Sequence, residues 1–217
     1  MFMHIAVLMV ALMTALAAPA AAQGTAAGKP VKLVVLGDSL SAGLGLQGQD
    51  AFPAKLKKAL QHKGIEVEMV NAGVSGDTSS GGRDRLDWSV PDGTDGVIVE
   101  LGANDALRGL DPDVTRAALG EIIAKLKARK IAVMLCGMLA PPNYGADYAA
   151  HFNSIYPDLA QKFDVPLYPF FLDGVAADAK LNQADGIHPT AAGVDIIVGN
   201  IMPTVEAFLG TIGEQRR

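Results

Sequence analysis

The sequence predicts an α/β protein, a single domain built on a parallel sheet with helices on both faces. Strand-like apolar runs alternate about five times with segments of helical period, and no repeat or linker interrupts them. Alternation of this kind favours parallel strands joined by helical crossovers. Three of the first four strands also end in turns of glycine and polar residues: Gly37-Asp38-Ser39, Gly73–Asp77 and Gly102–Asp105. Ligands of such sheets collect at the carboxyl ends of the strands, so the three turns are expected to face one crevice. A chain of 217 residues, half of them apolar, can bury one sizeable core.

In chain order, Phe2 to Ala18 is nearly free of charge and runs into Ala-rich Ala17–Ala22. That is the pattern of a signal peptide over 1–22, with cleavage after Ala20-x-Ala22, although its first residues carry no Lys or Arg. It predicts a periplasmic or secreted protein. Residues 23–30 read as a flexible lead-in, 31–212 as the folded domain and 213–217 as a C-terminal tail. Val31–Leu36 is the first strand, stopped at Gly37. Asp50–Lys63 has a helical period and stops at Gly64, and Ile65–Val70 alternates like a half-buried strand near a sheet edge. Gly81 and Gly82 weaken the next helix to one or two turns ending near Trp88. Gly96–Leu101 is a third strand. Asp113–Lys130 is the strongest helix, with Val114, Ala117, Ala118, Ile122 and Leu126 on its apolar face. A strand at Ile131–Cys136 leads to a Pro-rich loop, Met138–Gly145, a helix around Asp147–Phe163 and a short strand at Val165–Tyr168. The last helix runs from Thr190 to about Phe208, where Pro203 should kink or divide it.

The formal charge of −5 offers no basic surplus, which argues against nucleic acid as a partner. The single cysteine, Cys136, excludes an intramolecular disulfide and a multi-cysteine metal site, and its apolar surroundings predict a buried, inert thiol.

A strand that ends abruptly in Gly-Asp-Ser presents one hydroxyl, that of Ser39, at the sheet edge. A serine hydroxyl is a poor nucleophile until a base takes its proton, so a histidine must lie within reach. The chain has four. His4 lies in the signal segment, His62 on the polar end of a helix, and His151 on the helix after the Pro-rich loop. His188 lies in Asp185-Gly186-Ile187-His188-Pro189, where Asp185 can fold back within one turn to orient the imidazole. Alone, Asp185 and His188 read equally well as a helix-capping loop; pairing with Ser39 favours the chemical reading. Hydrolysis also needs donors for the developing oxyanion. Candidates are the Ser39 N–H, the N–H of Gly76 and the amide of Asn104. Gly76 as a simple turn residue and Asn104 as a cap are the alternatives.

The blocks Gly37-Asp38-Ser39-Leu40, Gly76, Gly102-x-Asn104-Asp105 and Asp185-x-x-His188 resemble, in order and over nearly the whole mature chain, the SGNH (GDSL-type) hydrolases. Val74–Thr78, Leu107–Leu110 and Pro142–Gly145 are similar to the family's bacterial periplasmic group of multifunctional esterases, thioesterases and lysophospholipases, and to related arylesterases. The resemblance implies Ser39 as nucleophile, His188 as base and Asp185 as orienting acid, with Ser39, Gly76 and Asn104 as the oxyanion hole. It also implies a three-layer α/β/α, flavodoxin-like fold with a five-stranded parallel sheet, and no metal or organic cofactor. The implied substrates are small acyl esters or thioesters, including lysophospholipids, with no obligate protein partner. Ala140 and Tyr144 are the expected substrate contacts, and Trp88 is expected to be structural. Two departures stand out. Ala103 replaces the second glycine of the group's Gly-Gly-Asn-Asp, and Ala140 with Pro141-Pro142 implies few bulky apolar groups near the acyl site.

The nucleophile elbow G-x-S-x-G is not matched, because position 41 is Ser and the serine follows the first strand. The runner-up within the class is a carbohydrate or peptidoglycan O-acetylesterase. From a different class, a non-catalytic flavodoxin-like binding module or receiver would fit the fold, but the first strand lacks the paired carboxylates a receiver needs.

Overall fold

The computed structural model describes residues 29–215. The signal segment predicted over 1–22 lies outside the described residues. Five strands form one parallel sheet: β1 (Val31–Gly37), β2 (Val67–Gly73), β3 (Gly96–Glu100), β4 (Ala132–Cys136) and β5 (Leu167–Tyr168), in the order β2-β1-β3-β4-β5. This is the flavodoxin-like order. Leu33–Leu36 and Val97–Val99 have no exposed surface, as expected for strands covered on both faces. β2, at the sheet edge, is only partly buried.

The helices are α1 (Ser39–Ala42), α2 (Phe52–His62), α3 (Ser79–Asp84), α4 (Leu86–Ser89), α5 (Ala103–Leu107), α6 (Pro112–Ala128), α7 (Ala146–Asn153), α8 (Ile155–Phe163) and α9 (Ala191–Gln215). α2 packs on α9, and α6 packs between α3 and α8. Right-handed crossovers explain the two layers. The chain moves one way from β1 to β2 and the other way from β2 onward, so the connecting helices fall on opposite faces.

The register sets the level of the strand ends. Gly37 pairs with Gly73 on one side and with Glu100 on the other. The three polar turns therefore leave the sheet at one height, and this alignment makes the crevice.

Four local expectations are corrected. The buried face of α6 is Thr115, Ala118, Leu119, Ile122, Ile123 and Leu126, whereas Val114 is 48% exposed. The stripe is rotated because the Thr115 hydroxyl is drawn inward to Asp105. The helix predicted over 147–163 is two helices meeting at Ser154. Pro157 lacks the N–H that would bond Asn153, so the ladder restarts with the proline in the first turn of α8. Pro203 does not divide α9. The carbonyl it deprives belongs to Gly199, and both residues lie on the helix's exposed side, where solvent can replace the lost bond. α9 also continues to Gln215, through the first residues assigned to a tail, because Ile212 still packs into the core.

Candidate active site

β1 delivers the chain to the crevice at Gly37, and the Asp38 carboxylate accepts the Leu40 N–H at 2.9 Å, capping the single turn of α1. Ser39 thus stands at the first position of a helix, 8% exposed. Its N–H precedes the first intrahelical bond and has no acceptor among the described residues.

The loop before α9 supplies the histidine. Asp185 Oδ1 accepts the N–H groups of Ile187 and His188 at 2.9 and 3.0 Å, folding the loop back on itself. Gly186, at φ +70°, permits the reversal. The imidazole is then bracketed: His188 Nδ1 lies 2.7 Å from Asp185 Oδ2, and Nε2 lies 2.9 Å from Ser39 Oγ. The backbone N–H of His188, that of Ile187 and the imidazole together hold the Asp185 carboxyl down at about 2. The aspartate is therefore ionised across the working range of an imidazole base. His62 is exposed on α2, and His151 pairs with Asp113 at 3.0 Å, away from this chain of contacts.

Two further turns are joined to that of Ser39 through Asn104. Gly76, at φ +85°, sits in the turn after β2; its N–H has no acceptor among the described residues, and its carbonyl accepts Arg108 Nη2 at 2.8 Å. Asn104 follows β3, and its Nδ2 donates to Asp77 O at 2.9 Å and to Asp38 Oδ2 at 3.1 Å. The Asn104 amide is thus fixed between the turn of Ser39 and that of Gly76.

Burial pushes the Asp38 carboxyl up to about 6, against the opposing hydrogen bonds from Leu40 and Asn104. A folded-state value above the ordinary one means that the fold favours the protonated form. Stability from this group is complete below about pH 4, the ordinary value, and is lost as pH rises through about 6. The Asp38→Asn variant should therefore gain thermal midpoint relative to the parent as pH is raised across that window. Parallel midpoint curves would contradict the shift.

Ser39, Asn104 and His188 lie in the wall of a cavity of about 470 Å³. The wall is otherwise mostly apolar: Leu107, Met138, Leu139, Phe170, Leu172 and Ile187 contribute, with Ala103 and Ala140 between them. The expectation of few bulky groups is corrected here: Met138 and Leu139 come from the start of the Pro-rich loop itself, and Leu107 at the end of α5 and Phe170, Leu172 and Ile187 of the 170–187 segment are added from elsewhere in the sequence. Ala140 is a wall residue. Tyr144 is not: its hydroxyl bonds Leu107 O at 2.9 Å and its ring covers Gly109, so it braces the wall from behind. Trp88 is 74% exposed and belongs neither to the core nor to the cavity. A larger groove of about 880 Å³ between α2 and α9 is lined by His62 but by none of Ser39, Gly76, Asn104, Asp185 and His188.

Three buried residues that frame the site have no counterpart among the sequence-derived candidates. Arg85 bridges Gly37 O, Ala72 O and Asp77. Asp105 accepts Ser79 N–H and the hydroxyls of Ser79 and Thr115, tying α3 and α6 to the Asn104 turn. Glu100 lies beneath Ser41.

A serine, a histidine and an ionised aspartate in hydrogen-bonded series, at the carboxyl edge of a flavodoxin-like sheet, are the equipment of a serine-type acyl hydrolase. Residues 35–196 match the GDSL-like Lipase/Acylhydrolase family, and the chain belongs to that family. It is 40% identical over 178 residues to "Esterase TesA" of Pseudomonas aeruginosa, covering 82% of this chain and 89% of that protein. It is 44% identical over 158 residues to "Thioesterase 1/protease 1/lysophospholipase L1" of Escherichia coli, covering 72% and 74% of the two chains. Among solved structures, AlinE4, described as an SGNH-hydrolase family esterase, superposes with a TM-score of 0.71 at 46% identity, covering 83% of this chain and 97% of that one. The protein is an SGNH-type ester hydrolase.

Proposed function

We propose that the chain hydrolyses small acyl esters and thioesters through an acyl-serine intermediate, with Ser39 as nucleophile, His188 as base and Asp185 as the orienting acid. The observation that carries this reading is the unbroken series of contacts Asp185–His188–Ser39, at 2.7 and 2.9 Å. Ser39 Oγ attacks the carbonyl carbon while its proton passes to His188 Nε2. The Asp185 carboxylate holds Nδ1–H and stabilises the imidazolium. The carbonyl oxygen, now negative, is met by the N–H groups of Ser39 and Gly76 and by Asn104, which shares one of its two engaged hydrogens. Donors of this kind are each worth about 3–4 kcal/mol. The tetrahedral adduct collapses, His188 returns the proton to the departing alkoxide or thiolate, and a water activated by the same imidazole releases the acid.

The apolar cavity wall supports an acyl or aryl group as the part of the substrate bound beside Ser39. Few polar side chains are available there for sugar hydroxyls. The names of the relatives support esters, thioesters and lysophospholipids as the substrate range. Export, with loss of residues 1–22, is part of the same proposal and rests on the apolar N-terminal stretch and the Ala-rich segment after it; the N-terminus of secreted material tests it. For the substrate, one leaving group carrying acyl chains from acetyl to palmitoyl should be assayed beside acetylated glycans. Rising kcat/KM beyond acetyl is the expected result. A maximum at acetyl, with turnover of the glycans, would replace this reading with the O-acetylesterase.

A further inference from the structure

A second buried acid lies directly under the serine turn, and hydrolysis as described makes no use of it. Glu100 ends β3 opposite Gly37 and has no exposed surface. Its Oε2 accepts the Ser41 hydroxyl at 2.6 Å and faces the Asp38 N–H at 3.4 Å. One oxygen therefore holds the residues on both sides of Ser39. Gly37 leaves room for this: a Cβ there would stand 2.3 Å from Ser41 Oγ and 2.6 Å from Glu100 Oε2.

No arginine, lysine or histidine pairs with Glu100 among the described residues, and its Oε1 has no hydrogen-bond partner. An ionised carboxylate has about four acceptor sites to fill, and burying one without a cation is costly. A neutral acid avoids that cost. In that form the 2.6 Å contact is reversed, with the acid donating its proton to Ser41 Oγ instead of accepting the hydroxyl, and Oε1 is a carbonyl-type oxygen, the less costly atom to orphan. The titratable groups around it give no cationic partner. They are Asp38 at the end of β1, the Cys136 thiol on β4 and the Tyr156 phenol on α8; Asp105 and His188 act in turn on Asp38. Burial, and next the charge of Asp38, push the Glu100 carboxyl well above the ordinary range.

We infer that Glu100 is a positioning residue of the hydrolytic site, an un-ionised carboxylic acid that clamps Ser41 and Asp38 and so fixes the turn from which Ser39 meets His188. The inference rests on Ser39 being the nucleophile. Glu100→Gln keeps the shape and the neutral charge, and should hold kcat within about 5-fold of the parent. Glu100→Leu removes the clamp and should lower kcat on the order of 100-fold with little change in KM, the size expected for a misplaced reacting group. Ser41→Ala, which leaves the acid in place and is the variant least at risk of misfolding, should lower kcat about 10-fold, again with KM nearly unchanged. At about pH 8 the infrared spectrum of the parent should contain the carbonyl stretch of an un-ionised acid, lost in Glu100→Gln. Loss of activity in Glu100→Gln as deep as in Glu100→Leu, or absence of that band, would overturn the neutral acid. Full kcat in Ser41→Ala and Glu100→Leu would overturn the positioning role. Ser39→Ala in the same assay separates the two layers: activity retained there would sink the nucleophile assignment, whereas the infrared band would be untouched.

Discussion

Replacing Ser39 with alanine is expected to reduce hydrolysis of a short p-nitrophenyl ester on the order of 10⁴-fold or more, the loss seen when a triad nucleophile is removed. The thermal midpoint should barely move. The side chain is small, and its hydroxyl contacts only His188 Nε2 among the described residues, so the deletion removes one hydrogen bond, about 0.5–1.5 kcal/mol. His188 keeps its orientation, because the Asp185 bond at Nδ1 and the backbone bonds of the 185–188 loop do not involve Ser39. The groups proposed to meet the oxyanion are equally untouched, since two are backbone N–H groups and Asn104 is held by Asp38 and Asp77. The variant should therefore bind substrate and fail to turn it over. Substantial retained turnover would remove Ser39 from the role and leave the cavity without a nucleophile.

The Asp185–His188–Ser39 series of contacts is legible in the sequence because its signals are local. A β run stopped by Gly37-Asp38-Ser39, and an aspartate three residues before a histidine, each define a turn without reference to the rest of the chain. The fold class was legible for the same reason: periodicity switches between strand and helix segment by segment. What escaped depends on contacts far apart in sequence. The Arg85 guanidinium reaches Gly37 across 48 positions and the Glu100 carboxyl reaches Ser41 across 59. One of these did leave a trace. Glu100 is the charged residue in the otherwise apolar run Gly96–Leu101, and a charge in a strand expected to be buried needs a structural reason. Arg85 left less, since a basic residue in a weak, glycine-broken helix reads as solvated surface. Only part of the cavity's bulky wall is illegible for this reason: Phe170 and Leu172 belong to an irregular segment with no period to read, whereas Met138 and Leu139 stand at the start of the Pro-rich loop. The rotation of α6 was missed because Thr115, a polar residue, takes an inward position for the sake of its bond to Asp105.

Arg85 gives the second large effect. Its guanidinium is buried and spends its donors on four acceptors: Nε on Asp77 Oδ2 at 2.5 Å, Nη1 on Ala72 O at 2.8 Å and Ser89 Oγ at 2.9 Å, and Nη2 on Gly37 O at 2.8 Å. Those acceptors belong to the end of β1, the end of β2, the turn that carries Gly76, and α4. Arg85→Met fills much of the volume yet leaves the Asp77 charge and two strand-end carbonyls without their partner. Breaking a buried pair from one side costs about 3–5 kcal/mol, which for a domain of this size lowers the midpoint on the order of 10 °C. Arg85→Lys should recover little, because one ammonium cannot span acceptors placed for a planar fork. Stability alone does not exhaust the expectation. Gly37 precedes the turn of Ser39 and Asp77 follows Gly76, so the same guanidinium ties the Ser39 turn to the Gly76 turn, the pair proposed to carry nucleophile and oxyanion donor. Measured well below the lowered midpoint, where the variant is fully folded, kcat should still fall on the order of 100-fold while KM changes little. A variant that loses its midpoint but keeps kcat at low temperature would show that Arg85 holds the fold together and that the Ser39 and Gly76 turns keep their geometry without it.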